Sequence, residues 1–409
     1  MSKEIYRSRW VVLAAAALMV VSLGALGCQK AEPPKEAPKE PILIGGIFDT
    51  TGPTSDVGAD YATAAVDAVE YINANGGING RELQIEANDY AYKVPQAVEL
   101  YKSYKDKGIF LIQGWGTGDT NALKEQINED KTVYMSASYD SLLNDPAKTP
   151  YNFYVGTSYG DAIRGAMQFI ADTWTDTSRK PKVVFIYPDH PYGKAPIPAG
   201  KAMAEALGFT IGDDQSVALN AKEAVSQLTN MKQFNPDWAW IGGTTASTAV
   251  IIKDAAKLGL GTKFLINVWG FDENLPKLAG DTANERAYGM APFTFFGVDV
   301  PGMKPILEMH QKKHPNDTHT VRYIQAWTSM MVMWDALKKA ETLDGPGIKA
   351  ALEKVTDFDT GGLTAASITF TPTDHRPNTT LFIYKVDAEG KQVPVTKATL
   401  ERKPEWLGQ

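Results

Sequence analysis

The strongest catalytic pattern in the sequence runs from Gly156 to Gly160 and reads Gly-Thr-Ser-Tyr-Gly. It matches the nucleophile elbow of serine hydrolases, with Ser158 as the nucleophile. Asp272 and His310 follow in the chain order of a triad, so an esterase is one hypothesis. However, Ser158 also stands where it would cap a helix that begins near Asp161, and such short patterns arise easily by chance. We therefore predict that the protein is not an enzyme.

Glycine-rich and histidine-bearing segments give no sign of a cofactor. The segment from Gly114 to Gly118 follows an apolar run but lacks the Gly-x-Gly-x-x-Gly spacing of a dinucleotide site. Gly200-Lys201 lacks the flanking residues of a phosphate loop. The five histidines show no His-Glu-x-x-His spacing, and we interpret His314 and His319 as part of a solvated turn. The sequence thus predicts neither a cofactor nor a metal site.

The elements that must position any site alternate between short apolar runs and amphipathic stretches. Runs such as Ile42 to Phe48 and Val183 to Tyr187 are each followed by a helical pattern, and the alternation pauses near Tyr151 to Gly160 before it restarts. Continuous apolar strands separated by helices predict parallel sheets covered on both faces. Ligands bind beyond the carboxyl ends of such strands, so the turns after Phe48, Gln113, Ser136, Tyr187, Ile241 and Ile266 are the places to expect a site.

The N-terminal segment has the features of an export signal. Arg7 and Arg9 precede an uncharged run that ends before Cys28, and small residues directly precede this cysteine, which is the only one in the chain. We predict a lipoprotein signal peptide over residues 1–27, with Cys28 as the lipidation site. The proline-rich residues 28–40 predict an extended linker, and the protein is expected outside the cytoplasm, anchored to a membrane by its lipid.

The charge balance argues against a nucleic-acid partner. The chain has 41 basic and 48 acidic residues, and the basic residues are not clustered on any segment. Nucleic-acid binding would require a positive field along one face. No apolar run after residue 40 reaches the length of a membrane span.

Several of the turns resemble those of the periplasmic leucine/isoleucine/valine-binding protein family. The segments that carry the resemblance, in order and with matching spacing between about residues 41 and 385, are Ile44 to Pro53, Tyr71 to Gly80, Pro95 to Val98, Tyr192-Gly193, Ile241 to Gly243 and Leu278 to Asp281. The resemblance implies a type I periplasmic-binding fold, in which two α/β lobes, each a mostly parallel sheet flanked by helices, are joined by three crossover strands.

The resemblance also implies where the lobes divide. The crossovers fall near Tyr154 to Gly160, Ala291 to Phe296 and Phe358 to Gly362. Lobe 1 then comprises residues 41–156 plus 292–360, and lobe 2 comprises residues 157–291 plus 361–409. Two cysteines that form a disulfide in relatives are replaced by Tyr92 and Gly116.

Ligand contacts are likewise implied by the resemblance. The family's carboxylate-binding positions are held by Thr117-Gly118 and Ser138-Tyr139, and its second lobe adds residues that match Tyr192 and Thr244. The family's glutamate for the ligand ammonium belongs near Trp269, where no acid stands, so either the ligand is not an ordinary α-amino acid or Asp119, Asp140 or Asp272 takes over. The expected ligand-binding residues are Trp115, Thr117, Gly118, Ser138, Tyr139, Asp140, Tyr192, Thr244 and Trp269.

The family function implied is capture of a small solute and its delivery to the permease of an ABC importer. Branched aliphatic amino acids, amides and aromatic carboxylates all remain open as ligands, because the aromatic side chains expected in the cleft suit a planar or aliphatic body. A sensory module that signals to a receptor partner is the alternative within the same fold.

Overall fold

A computed structural model describes residues 39–409. The predicted signal peptide and Cys28, and all but the last two residues of the predicted linker, lie outside this part of the chain. No helix within residues 39–409 is long and apolar enough to cross a bilayer.

The first sheet is built from the strands of the N-terminal third. It contains five parallel strands: β1 Ile42–Phe48, β2 Leu83–Asp89, β3 Leu111–Gly114, β4 Val133–Ser136 and β5 Asn152–Phe153. Their spatial order is β2-β1-β3-β4-β5. The helices between them are α1 Ser55–Ala74, α2 Val94–Asp106 and α3 Thr117–Asp130. Every residue of β3 and β4 is buried, as expected for central strands covered on both faces.

The second sheet has eight strands: β6 Lys182–Tyr187, β7 Thr210–Ile211, β8 Gln215–Ser216, β9 Trp238–Ile241, β10 Lys263–Ile266, β11 Ala287–Ala291, β12 Thr380–Val386 and β13 Gln392–Thr399. Their spatial order is β13-β12-β11-β10-β9-β6-β7, and β8 also pairs with β6. All pairs are parallel except those that β12 makes with β11 and β13. The helices along this part of the chain are α4 Tyr159–Thr173, α5 Pro191–Lys194, α6 Ile197–Ala206, α7 Val225–Phe234, α8 Thr245–Lys257 and α9 Leu275–Ala279.

Three further helices return to the first sheet after β11. They are α10 Met303–Lys313, α11 Val321–Lys339 and α12 Gly345–Leu352. Helix α11 packs along α1, where Tyr323 donates to Asp67 at 2.8 Å. On the side of the sheet, Ser329 donates to Gln113 of β3 at 2.7 Å. Two sheets of mainly parallel strands flanked by helices confirm the predicted α/β fold.

Residues 363–378 precede the last crossing of the chain from the first sheet to the second. Phe370 packs edge-on against Phe153 of β5, and the His375 ring stacks on the same phenylalanine at 4.1 Å. The next strand, β12, begins in the second sheet at Thr380. Phe370 and His375 are thus buried against the first sheet, beyond the boundary predicted after residue 360, and this boundary stays a prediction. The boundaries predicted after residues 156 and 291 remain predictions.

Candidate ligand-binding site

A small cavity lies beyond the carboxyl ends of strands from both sheets. Its volume is about 20 Å³, and its lining residues come from turns and helix starts on each side: Thr54, Val57, Tyr92, Trp115, Gly116, Thr117, Ala137, Tyr159, Tyr192, Thr244 and Trp269. A volume of this size is close to what one water molecule occupies. A solute as large as an amino acid therefore enters only if the two walls separate or their side chains move.

Five of the predicted ligand-binding residues line this cavity: Trp115, Thr117, Tyr192, Thr244 and Trp269. Thr117 begins α3, so its position at a helix N-terminus places backbone N–H groups near the cavity. Its hydroxyl is hydrogen-bonded to that of Ser138 at 2.7 Å. The structure thus brings residues from the turns after β3, β6, β9 and β10 to one place, while their roles in binding stay predictions.

The other four predicted residues lie behind the lining. Besides Ser138 they are Gly118, which faces the ring of His190, and Asp140, which accepts from Asn121 at 3.0 Å. The Tyr139 ring packs against that of Trp269, with centroids 5.8 Å apart. These residues can support the wall, but none of them reaches the cavity in this structure.

Two tryptophans from opposite sheets meet across the cavity. The rings of Trp115 and Trp269 make an edge contact with centroids 5.0 Å apart. The Trp115 indole N–H donates to the Thr54 hydroxyl at 2.9 Å, and the Trp269 indole N–H donates to the Tyr159 hydroxyl at 2.8 Å. Because both N–H groups are already bonded, the indoles offer the cavity only apolar surface.

Sequence reasoning missed six lining residues: Thr54, Val57, Tyr92, Gly116, Ala137 and Tyr159. Tyr92 follows Ala91 in a turn where both residues have positive φ, 49° and 57°. This left-handed backbone carries the Tyr92 ring to within 5.0 Å of the His190 ring. A sequence signal exists for Tyr159, since it directly follows the predicted helix cap Ser158.

The carboxylates around the cavity are all bonded to protein donors. Asp119 is fully buried and accepts from the Tyr90 hydroxyl at 2.7 Å and from the Gly116 N–H at 3.2 Å. Burial raises the pKa of Asp119 to about 7, although the hydrogen bond from Tyr90 opposes the shift. Asp56 accepts from the Ala246 N–H at 3.0 Å, and burial raises its pKa as well. Asp272 accepts from the Thr245 hydroxyl at 2.7 Å.

A buried arginine joins α11 to the turn after β10. Arg322 has no exposed surface, and it donates to the Val268 carbonyl at 2.9 Å and to the Phe271 carbonyl at 3.3 Å. It also pairs with Asp272 at 3.3 Å, and its guanidinium lies 5.0 Å from the centre of the Trp269 ring. This residue fixes the back of the wall that Trp269 forms, and no sequence pattern pointed to it.

The alternative hydrolase site is not assembled. Ser158 caps α4, where its hydroxyl accepts from the Asp161 N–H at 3.0 Å. Asp272 is held by Thr245 and Arg322, and His310 packs against Phe296 and His319. Among residues 39–409, no histidine hydrogen-bonds to Ser158, so this part of the chain contains no triad around it.

The interpretation of His314 and His319 as a solvated turn is wrong for His319. Its side chain is 4% exposed and bonds Asp60 at 2.6 Å, while His314 bonds Asp67 at 2.8 Å. These pairs fasten the segment after α10 to α1. Within the described residues, no group of three or more potential metal ligands forms.

A family model described as periplasmic binding protein matches residues 41–391. A leucine-, isoleucine-, valine-, threonine- and alanine-binding protein of Pseudomonas aeruginosa is 22% identical over 325 residues, which cover 79% of this chain and 85% of that protein.

Two solved structures show the same architecture. An ABC transporter substrate-binding protein from Aeropyrum pernix is 32% identical, with a TM-score of 0.83 over 90% of this chain and 98% of that one. A branched-chain amino-acid ABC transporter protein from Thermus thermophilus with bound valine is 24% identical, with a TM-score of 0.81 over 89% of this chain and 97% of that one.

Proposed function

Because the chain belongs to the periplasmic binding protein family, we propose that it captures a small solute between its two sheets and delivers it to the permease of an ABC importer of the branched-chain amino-acid type. The observation that carries the proposal is the cavity, whose walls come from turns on both sheets. A ligand that touches both walls stabilises their approach over their separation, and this difference in affinity drives closure. No bond of the solute is made or broken.

The contacts between the two sides support a closing motion. The Asp56 carboxylate on α1 accepts from the backbone of Ala246, which lies in the first turn of α8. The negative charge of this carboxylate at the N-terminus of α8 also interacts favourably with the helix dipole. The Tyr92 ring meets the His190 ring, and Trp115 meets Trp269, so the two sides touch at several places around the cavity. Each of these contacts would be lost when the sides separate.

The location of the protein follows from the family and from the segment that precedes residue 39. We propose that the chain acts outside the cytoplasm and is tethered through acylated Cys28. Cys28→Ser is expected to move the protein from the membrane fraction to the soluble fraction, as judged by immunoblotting of fractionated cells. Retention of Cys28→Ser in the membrane fraction would show that another feature anchors it.

A thermal-shift panel tests the binding function itself. Valine, leucine, isovalerate, isovaleramide, phenylacetate and benzamide represent the open ligand classes, and a ligand at 100 times its dissociation constant adds about 2.7 kcal/mol of stability. Small-angle scattering of any hit is expected to show a smaller radius of gyration than the free protein. A panel without a single shift, at concentrations up to 10 mM, would contradict the proposed function.

A further inference from the structure

Three buried side chains behind Trp269 carry hydrogen-bond donors that have no acceptor. They are the Tyr139 hydroxyl, the Arg322 Nε–H and the Gln325 side-chain NH₂. All three residues have no exposed surface. Buried polar groups in native proteins are nearly always paired, so three unpaired donors at one place need an explanation.

The hydrogen bonds that Gln325 and Arg322 do make determine which of their donors are unpaired. The Gln325 Oε1 accepts from an Arg322 terminal nitrogen at 3.2 Å, which orients the amide and leaves its nitrogen without a partner. The two terminal nitrogens of Arg322 are occupied by carbonyls and by Asp272, which leaves Nε. Each unpaired atom carries a hydrogen that it can donate, although the Tyr139 hydroxyl beside Gln325 can also accept, and one of the three atoms belongs to a cation.

The donors and the ring that covers them belong to different sides of the cleft. Tyr139 follows β4, and Arg322 and Gln325 lie on α11, which packs on the first sheet. Trp269 follows β10 of the second sheet, and its ring lies 5.0 Å from the Arg322 guanidinium and 5.8 Å from the Tyr139 ring. A rotation of the Trp269 side chain would open the donors to the cleft, while the Val268 and Phe271 carbonyls keep their bonds to Arg322.

Among the described residues, every carboxylate near the cavity already accepts a hydrogen bond from the protein, so none is left to pair with a ligand ammonium. None of the described residues that line the cavity is charged. The nearby carboxylates of Asp49, Asp56 and Asp119 accept from Thr54, Ala246 and Tyr90. Asp272 is shared between Thr245 and Arg322. A buried ammonium without such a partner is costly.

We infer that the solute is an apolar carboxylate without an α-ammonium group, and that Tyr139, Arg322 and Gln325 hold its carboxylate when Trp269 has moved aside. A carboxylate supplies the acceptors that these donors lack, and its bond to the guanidinium is charge-assisted. The rings of Trp115 and Tyr192 then cover the apolar body. This inference rests on the proposed function and names the ligand class for it.

Tyr139→Phe tests the inference with little risk to folding, because the hydroxyl it removes makes no hydrogen bond in the structure. Tyr134→Phe is the matched control, since the Tyr134 hydroxyl is also buried and unpaired but its ring lies beside Gly114 of β3, whereas the Tyr139 ring packs against Trp269. Each protein is titrated by calorimetry with isovalerate, isovaleramide, isoamylamine and leucine, and with phenylacetate, phenylacetamide and phenethylamine. Wild-type protein is expected to bind a carboxylate at least tenfold more tightly than its amide, and more tightly than the amine or leucine.

The expected result for Tyr139→Phe is a loss of tenfold or more in carboxylate affinity, against less than twofold for Tyr134→Phe. Gln325→Glu keeps an acceptor for Arg322. Its added negative charge is expected to weaken carboxylate binding by repulsion. Tighter binding of leucine or an amine than of the carboxylate would overturn the inference and leave the proposed function standing. Unchanged carboxylate affinity in Tyr139→Phe and Gln325→Glu would also overturn it, since the donors would then serve only water. Failure of every compound would contradict the proposed function itself.

Discussion

Asp119 offers the sharpest test of how the wall beside the cavity is built. The carboxyl is fully buried, and burial raises its pKa to about 7 from an ordinary value of 3.8, against the opposing hydrogen bonds from Tyr90 and Gly116. Because the folded pKa is raised, the folded protein binds more protons than the unfolded chain between pH 3.8 and pH 7. Its unfolding free energy therefore falls as the pH rises through this window and is constant with respect to this group above it.

The magnitude follows from the size of the shift. A difference of about 3 pKa units corresponds to roughly 4 kcal/mol of stability that is present at pH 4 and absent at pH 8. Asp119→Asn removes the titration but keeps one acceptor oxygen for Tyr90, and the amide nitrogen cannot accept from Gly116, which costs about 1 kcal/mol. The variant is expected to be slightly less stable than wild type at pH 4 and more stable by about 3 kcal/mol at pH 8.

Urea unfolding at half-unit steps between pH 4 and pH 8 measures the difference directly. Other carboxyl groups titrate in both proteins, so the quantity that matters is the unfolding free energy of Asp119→Asn minus that of wild type. Asp106→Asn, an exposed position on α2, controls for the amide substitution itself. A difference that does not change with pH would refute the account of Asp119 as an acid whose burial outweighs its hydrogen bonds.

Further substitutions probe the cleft from each side. Thr117→Ala and Tyr192→Ala are expected to weaken any bound solute by tenfold or more, measured by calorimetry, and unchanged affinity in both would contradict the assigned walls. Asp56→Asn replaces the charged acceptor of the Ala246 N–H, so scattering should show a larger radius of gyration for the unliganded variant than for wild type; equal radii would mean that this contact does not hold the sides together. Tyr192→Phe removes the hydrogen bond to the Gly243 carbonyl at 3.0 Å and is expected to lower the unfolding free energy by about 1 kcal/mol in urea, where no change would indicate that water replaces the hydroxyl.

The sequence alone was sufficient for the fold, whereas the binding roles of the residues that it names stay predictions. Apolar runs such as Ile42 to Phe48 are central strands, and the family resemblance read from the turns is confirmed by the match over residues 41–391. The family resemblance and the aromatic residues in the turns pointed to Trp115, Thr117, Tyr192, Thr244 and Trp269. All five lie around one cavity, and their roles in binding stay predictions.

The remaining features depend on contacts between segments far apart in the chain. Arg322 lies in the first turn of a helical pattern, and nothing local distinguishes it from an exposed arginine until Val268 and Phe271 are placed beside it. The polar residues next to His319 in the sequence predict an exposed side chain, but in the fold its ring is hydrogen-bonded to Asp60 of α1. The Tyr92 ring enters the cavity only because two residues before α2 adopt a left-handed backbone.

The two walls of the cavity are encoded by separate stretches of sequence, which has a practical meaning for how such a protein acquires a new specificity. Trp115 and Thr117 depend on the packing of the first sheet, while Tyr192 and Trp269 depend on that of the second. A substitution at a lining position can reshape one wall while the strands and helices that carry the other keep their sequence. Variants selected for different solutes can therefore be recombined as halves, and a library built in this way samples pairs of walls without repeating the search for a stable fold.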